Sequence, residues 1–157
     1  MPRTPPTDEL VVRVRLAIVV CLALALSGID LLVNAFVPAA SWDYHQRSQT
    51  WSVLLWLVLA GLGLLAAVPS RVAACAAGVV AGGVLGSLVA ATAHGGAVPD
   101  PLVAGSTAFN LGDVLIVGGV PLLMISLAAA AIRHRDTIDR HIPPRRWEVA
   151  LRRKLGL

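Results

Sequence analysis

Four apolar stretches, each long enough to cross a bilayer, leave this chain very little room for anything else. They run from about Leu16 to Val37, Trp51 to Val68, Val72 to Ala93 and Phe109 to Ile132. A membrane-spanning helix needs roughly 20 predominantly apolar residues, and backbone at that depth must satisfy its own hydrogen bonds. The expected fold is therefore all-α, a bundle of four transmembrane helices joined by short loops. Only 14% of the 157 residues are charged and 57% are hydrophobic, against about a quarter charged in an ordinary soluble domain. Residues 1–15 read as a leader, 16–132 as the membrane domain and 133–157 as a basic tail. The first span exceeds the apolar core of a cleavable signal peptide and reads as a retained helix.

Charge placement sets the orientation. Twelve of the 13 basic residues lie before span one, in the "VPSRV" turn or after span four, and only Arg47 lies in either remaining loop. By the positive-inside rule both termini are expected to be cytoplasmic, with loops 38–50 and 94–108 facing outward. The net charge of +4 does not point to nucleic acid, because the basic residues flank apolar runs and form no face with interleaved aromatics. In the tail, Trp147, Ala150, Leu151 and Leu155 share one helical face with Arg145, Arg152 and Arg153 largely off it. That pattern suits a helix lying on an anionic lipid surface, and equally a solvated tail that only fixes topology. Cys21 and Cys75 fall within apolar runs with no metal spacing and read as small core thiols. No metal or other cofactor is expected.

Polar side chains at membrane depth are few, so each can be weighed. Asp30 and Asn34 share a face near the outer end of span one, and Asn110 and Asp113 open span four. Ser87 and His94 flank the outer end of span three. Ionisable groups inside a membrane are costly and by default mark function, whereas buried Asn, Ser and Asp also serve as glue between helices. Both readings fit a polar cluster drawn from three helices at one depth. The stretch "GVVAGGVLGS" supplies the small residues that let helices pack closely.

The blocks "AGGVLGSLVAATAHGGAV" and "FNLGDVLIVGG" resemble the two signature blocks of type II signal peptidases, the lipoprotein signal peptidases. "SGIDLLVNAFV" resembles that family's D-Q-x-x-K block in span one, and the resemblance covers about residues 16–132. It implies an aspartic endopeptidase of the bacterial cytoplasmic membrane, cleaving a prolipoprotein before its lipid-modified cysteine with two aspartates that activate water. Asn110 and Asp113 match the family's FN-x-AD, with Gly112 in place of Ala; Asp30 matches the acid of the first block. In the span-three block, Gly82, Gly83, Leu85, Gly86 and Leu88 match, Ser87 replaces Asn, and Ala90 stands where the resemblance places the second aspartate. Asp100, in "AVPDPL", lies one place beyond the aspartate of the family's VVDF and reads as a solvated loop acid.

The expected function is that of a degenerate member. It would bind lipoprotein, lipid or a membrane partner in an outer-leaflet groove, with Asp113 catalytic in ancestry and Asn110, Asn34, Ser87 and His94 as polar anchors. Two alternatives stand beside it. One is an active peptidase with a rewired dyad of Asp113 with Asp30 or Asp100. The other is a structural subunit of a membrane complex.

Overall fold

The computed structural model of the protein describes residues 8–37 and 43–135, together with 153, 154 and 156. Helix α1 spans Asp8–Phe36, α2 Gln49–Leu64 with a 3₁₀ turn over Leu65–Ala67, α3 Arg71–Ala93 and α4 Leu111–Arg133. All four are long and apolar enough to cross a membrane, as expected. The starts of α2 and α3 carry serine caps: Ser48 Oγ accepts from Trp51 N, and Ser70 Oγ from Ala73 N, each at 3.2 Å. Helix α1 begins well before Leu16, because Asp8 and Glu9 suit a first turn and Glu9 pairs with Arg13 one turn on at 2.6 Å. Helix α4 runs unbroken through Pro121.

Helix α3 is the centre of the bundle. Ala73, Ala74, Ala76 and Ala77 are fully buried on it, and its glycines set how near the neighbours come. A Cβ at Gly78 would lie 2.8 Å from Leu22 Cβ, one at Gly82 2.7 Å from Leu26 Cβ, and one at Gly86 2.5 Å from Asp30 Oδ2. Gly78, Gly82 and Gly86 recur every fourth residue, and so do Leu22, Leu26 and Asp30. Three successive turns of α1 thus rest on missing side chains of α3, the small-residue packing that lets helices associate in lipid. Gly83 does the same toward α4, where a Cβ would overlap the Gly112 carbonyl oxygen.

The outward faces are apolar. Leu24, Leu32, Leu57, Leu64, Val117, Met124, Ile125 and Ile132 all stand well exposed, as side chains meeting hydrocarbon must. Cys21 and Cys75 are free and also lie on exposed faces, so the core-thiol expectation is corrected. In lipid both faces of a helix are apolar, and the sequence alone does not separate a core position from a lipid-facing one. At the end where α1 begins and α4 finishes, Arg15 is buried, and its guanidinium donates to the carbonyls of Ala67 (3.4 Å) and Val68. It satisfies acceptors left over where α2 stops, a structural duty beyond its bearing on topology.

At the opposite end the chain forms strands that hydropathy does not reveal. Strand β1, Asp43–Gln46, pairs antiparallel with β2, Ala97–Asp100, with Tyr44 opposite Pro99 and His45 opposite Val98. Arg47 prolongs the pairing by donating its N–H to Gly96 O at 2.9 Å, and its guanidinium lies over the Trp51 ring. Strands β3, Leu102–Ala104, and β4, Thr107–Phe109, make a second hairpin leading into α4. The exit from α3 is set by Gly95 and Gly96, both at positive φ. Gly96 N donates to Ala91 O at 2.7 Å and closes the helix end in a glycine-dependent cap. The leader 1–7, the first part of loop 38–50 and most of the basic tail, including Trp147 and Leu151, lie outside the described residues.

The α3–α4 contact supplies a direct test. Gly83→Ala should lower stability by about 3 kcal/mol, since a backbone oxygen cannot yield to the new methyl. Gly61→Ala on α2, where a Cβ meets open space, should leave stability unchanged or raise it slightly. Thermal unfolding of the two variants in detergent distinguishes them.

Candidate active site

The site forms where α4 begins. Asn110 is its N-cap: Asn110 Oδ1 accepts from Asp113 N at 2.9 Å, and Asp113 Oδ2 accepts from Asn110 N at 3.2 Å. This reciprocal capping box uses two of the four backbone donors that a helix start leaves unpaired. It also fixes Asp113 at the positive end of the α4 dipole, where negative charge is favoured. Asn110 is 1% exposed and has one group left over, its amide N–H, which donates to Asp100 Oδ1 at 2.9 Å. A single asparagine therefore ties the carboxyl of Asp100 to the backbone and side chain of Asp113.

Asp100 is held from its own side as well. It stands between Pro99 and Pro101, so rings on both sides restrict its backbone. The β1–β2 register puts His45 opposite Val98 and hence diagonal to Asp100 on the same face of the ribbon. His45 Nδ1 is hydrogen-bonded to Asp100 Oδ2. Asp100 is 1% exposed, which corrects its reading as a solvated loop acid. Two loops that look open in the sequence close on each other and bury it. Burial pushes its carboxyl above the usual carboxylate range; the His45 hydrogen bond opposes the shift, while the negative charge of Asp113 adds to it.

Asp30 reaches the same region from α1. It is fully buried, and its Oδ1 accepts from Gly112 N at 3.0 Å. Gly112 is hemmed in: a Cβ there would meet Asn110 Oδ1, Gly83 O and Ser87 Oγ, each at 2.9 Å. The departure from the family's FN-x-AD at this position thus coincides with a close contact of α3 and α4. Asp30 serves to hold the first turn of α4, taking a further backbone donor that the capping box leaves unused.

The remaining expected residues divide. Ser87 is buried beside Gly112 and belongs to the cluster. Asn34 is buried on α1, with neither its Oδ1 nor its Nδ2 hydrogen-bonded among the described residues. His94 turns back on its own helix, with Nδ1 2.9 Å from Ala90 O and its ring tilted against Tyr44. Ala90 is 1% exposed and packs with Ala91 and Val98 against Leu31 and Trp51. His45 is the site residue that sequence reasoning missed. Its only signal was a histidine near one of the few acids of the loops 38–50 and 94–108, and the pairing of those loops could not be read.

Beside Asp113 a groove of about 610 Å³ opens, lined by Thr107, Ala108, Phe109, Val114, Val117 and Gly118. Its wall is almost wholly apolar and Asp113 is the one ionisable group on it, which suits a largely apolar ligand that brings one polar bond to the carboxylate. Among the described residues no cluster of His, Cys, Asp and Glu could hold a metal ion.

Fold and site together define a polytopic membrane protein with three carboxyl groups, those of Asp30, Asp100 and Asp113, gathered at one end of its helix bundle. The signal peptidase II family, peptidase family A8, has a model that matches residues 26–129, more than half of the chain. The protein belongs to that family. No curated protein and no solved structure matches it.

The contact between Asp30 and α4 can be tested on its own. Asp30→Ala should lower stability by about 2 kcal/mol, because the Gly112 N–H is left buried without an acceptor. Asp30→Asn keeps an acceptor oxygen and should recover most of that loss in the same unfolding measurement.

Proposed function

We propose that the protein is an active lipoprotein signal peptidase, an aspartic endopeptidase whose dyad is Asp100 and Asp113. The observation that carries this reading is the Asn110 bridge. It joins a buried carboxyl on β2 to a partly exposed one on α4 at the mouth of an apolar groove. Peptide hydrolysis by two carboxyl groups needs one that retains a proton and one that can take one. Burial favours the protonated form of Asp100, which leaves Asp113, on the groove, as the base. Asp113 takes a proton from water as its oxygen attacks the scissile carbonyl, and the Asp100 O–H donates to the developing oxyanion. On collapse the proton on Asp113 passes to the departing amide nitrogen, and Asp100 takes back its own.

The family implies a substrate whose apolar signal segment lies beside the groove and whose lipid-modified cysteine follows the scissile bond. The charge asymmetry of the loops supports cytoplasmic termini, with the dyad on the outer side of a bacterial cytoplasmic membrane. The degenerate reading rests on Ala90. Its methyl fills an apolar contact between α3, β2 and α1, and the second carboxyl comes instead from a strand ten residues further on. Asp30 is the weaker candidate for the dyad, since it is committed to the backbone of Gly112.

Cleavage of a diacylglyceryl-modified precursor peptide by the full chain in detergent tests this directly. Asp100→Asn and Asp113→Asn should each lower kcat by about a thousandfold, the scale of a lost acid–base group. Loss of activity in Asp113→Asn with full activity in Asp100→Asn would remove Asp100 from the dyad. Ala90→Asp should not raise the rate, and its buried carboxyl should reduce the yield of folded protein.

The pH profile has a definite sign. Asp100 must hold its proton, and burial raises its pKa, so activity should persist above the ordinary carboxylate range. It should then fall as pH rises through the raised pKa of Asp100.

A further inference from the structure

We propose that His45 is a positioning residue of the dyad, holding the Asp100 carboxyl in place and linking its proton to the water outside the bundle. The inference deepens the peptidase reading and rests on it for its catalytic meaning. Three observations carry it. The β1–β2 register places the imidazole on the Asp100 side of the ribbon, with Nδ1 hydrogen-bonded to Oδ2. The opposite oxygen, Oδ1, is taken by Asn110, so the carboxyl is gripped at both oxygens. The two side chains also differ sharply in exposure, 48% for His45 and 1% for Asp100.

That difference assigns the direction of the link. Asp100 meets almost no water itself, and the imidazole touching it stands half in the open. A proton leaving Asp100 Oδ2 is accepted at His45 Nδ1, and the proton on Nε2 departs to bulk water; the reverse steps reload the acid. An imidazole suits this exchange because one ring nitrogen can accept a proton while the other releases one.

The groups facing the pair come from every neighbouring element. Asp113 on α4 and Asp30 on α1 both interact with the Asp100 carboxyl, and Asn110 contacts it. Tyr44 beside His45 on β1 and His94 at the end of α3 touch each other, and Arg47 follows β1 over Trp51. Among the described residues, His45 is the titratable base bonded to Asp100. It favours the ionised carboxylate by its N–H and, once protonated, by its charge.

The test is an infrared titration of the full chain in lipid nanodiscs. The stretch of the protonated Asp100 carboxyl is identified by its loss in Asp100→Asn. His45→Phe should raise the midpoint of Asp100 deprotonation by about one pH unit, the lower end of what a neighbouring opposite charge commands. His45→Gln, which keeps an N–H donor but no charge, should give a smaller rise, and it carries the test alone if the Phe variant does not fold. In the cleavage assay the alkaline limb of kcat/KM should move the same way, with KM unchanged. A midpoint that stays put or falls in both variants overturns the proposal. If the wild-type chain cleaves no lipidated precursor, the peptidase reading fails, while the infrared midpoint still decides whether His45 governs Asp100.

Discussion

The side chain of Asn110 is the interaction on which the site depends. A helix that starts near hydrocarbon must find acceptors for its first backbone donors inside the protein. Asn110 and Asp113 do this for each other. Of the usual capping residues, asparagine alone offers a good acceptor together with a pair of amide donors. Its acceptor is spent on the helix, and a donor remains for Asp100. Aspartate in its place would set a third negative charge between two others, and serine would lack the reach. One local requirement, the capping of α4, thereby fixes the relation between two carboxyl groups that come from different elements.

The small residues of α3 are the second support. Gly83 and Gly112 let two backbones come into contact, and Gly86 leaves room for the carboxyl of Asp30. Asp30 can then reach across and accept from Gly112 N. The polar cluster sits at a close contact of the helices, so packing that carries no chemistry itself helps to place these side chains. A methyl at Gly83 would act on the first turn of α4 as much as on the interior of the bundle.

Much of this was legible in the sequence. The four spans follow from apolar length, the opening of α4 by Asn110 and Asp113 from their place at its start, and close packing from the small residues of "GVVAGGVLGS". The partnership of Asp100 was not. It depends on two four-residue strands about fifty residues apart, "DYHQ" and "AVPD". Neither shows the alternation of a half-buried strand, and one carries a proline. The family resemblance places the second acid at position 90 on α3, where the chain has an alanine packed among apolar neighbours. A buried acid, Asp100, lies ten residues further along, in a segment whose burial comes from pairing with another loop and from packing on the end of α3. The cysteines failed for a different reason: a helix in lipid is apolar all round, and its pattern does not separate inside from outside.

Three carboxyl groups, those of Asp30, Asp100 and Asp113, act on one another at this end of the bundle. Like charges in a poorly solvated cluster cannot all be ionised unless donors or cations compensate them. The donors present are specific: the backbone N–H of Gly112 for Asp30, the Asn110 amide and His45 for Asp100, and the N–H of Asn110 for Asp113. Each acid has its own donor and none is shared, which keeps the three chemically distinct although they are close. The arrangement separates their roles by surroundings alone. Asp30 is locked to a backbone, Asp100 is shielded and gripped at both oxygens, and Asp113 faces the groove. A pair meant only as glue between helices would gain nothing from leaving one member on an open apolar groove and the other in contact with a half-exposed imidazole. That asymmetry is what acid–base work between two carboxyl groups requires.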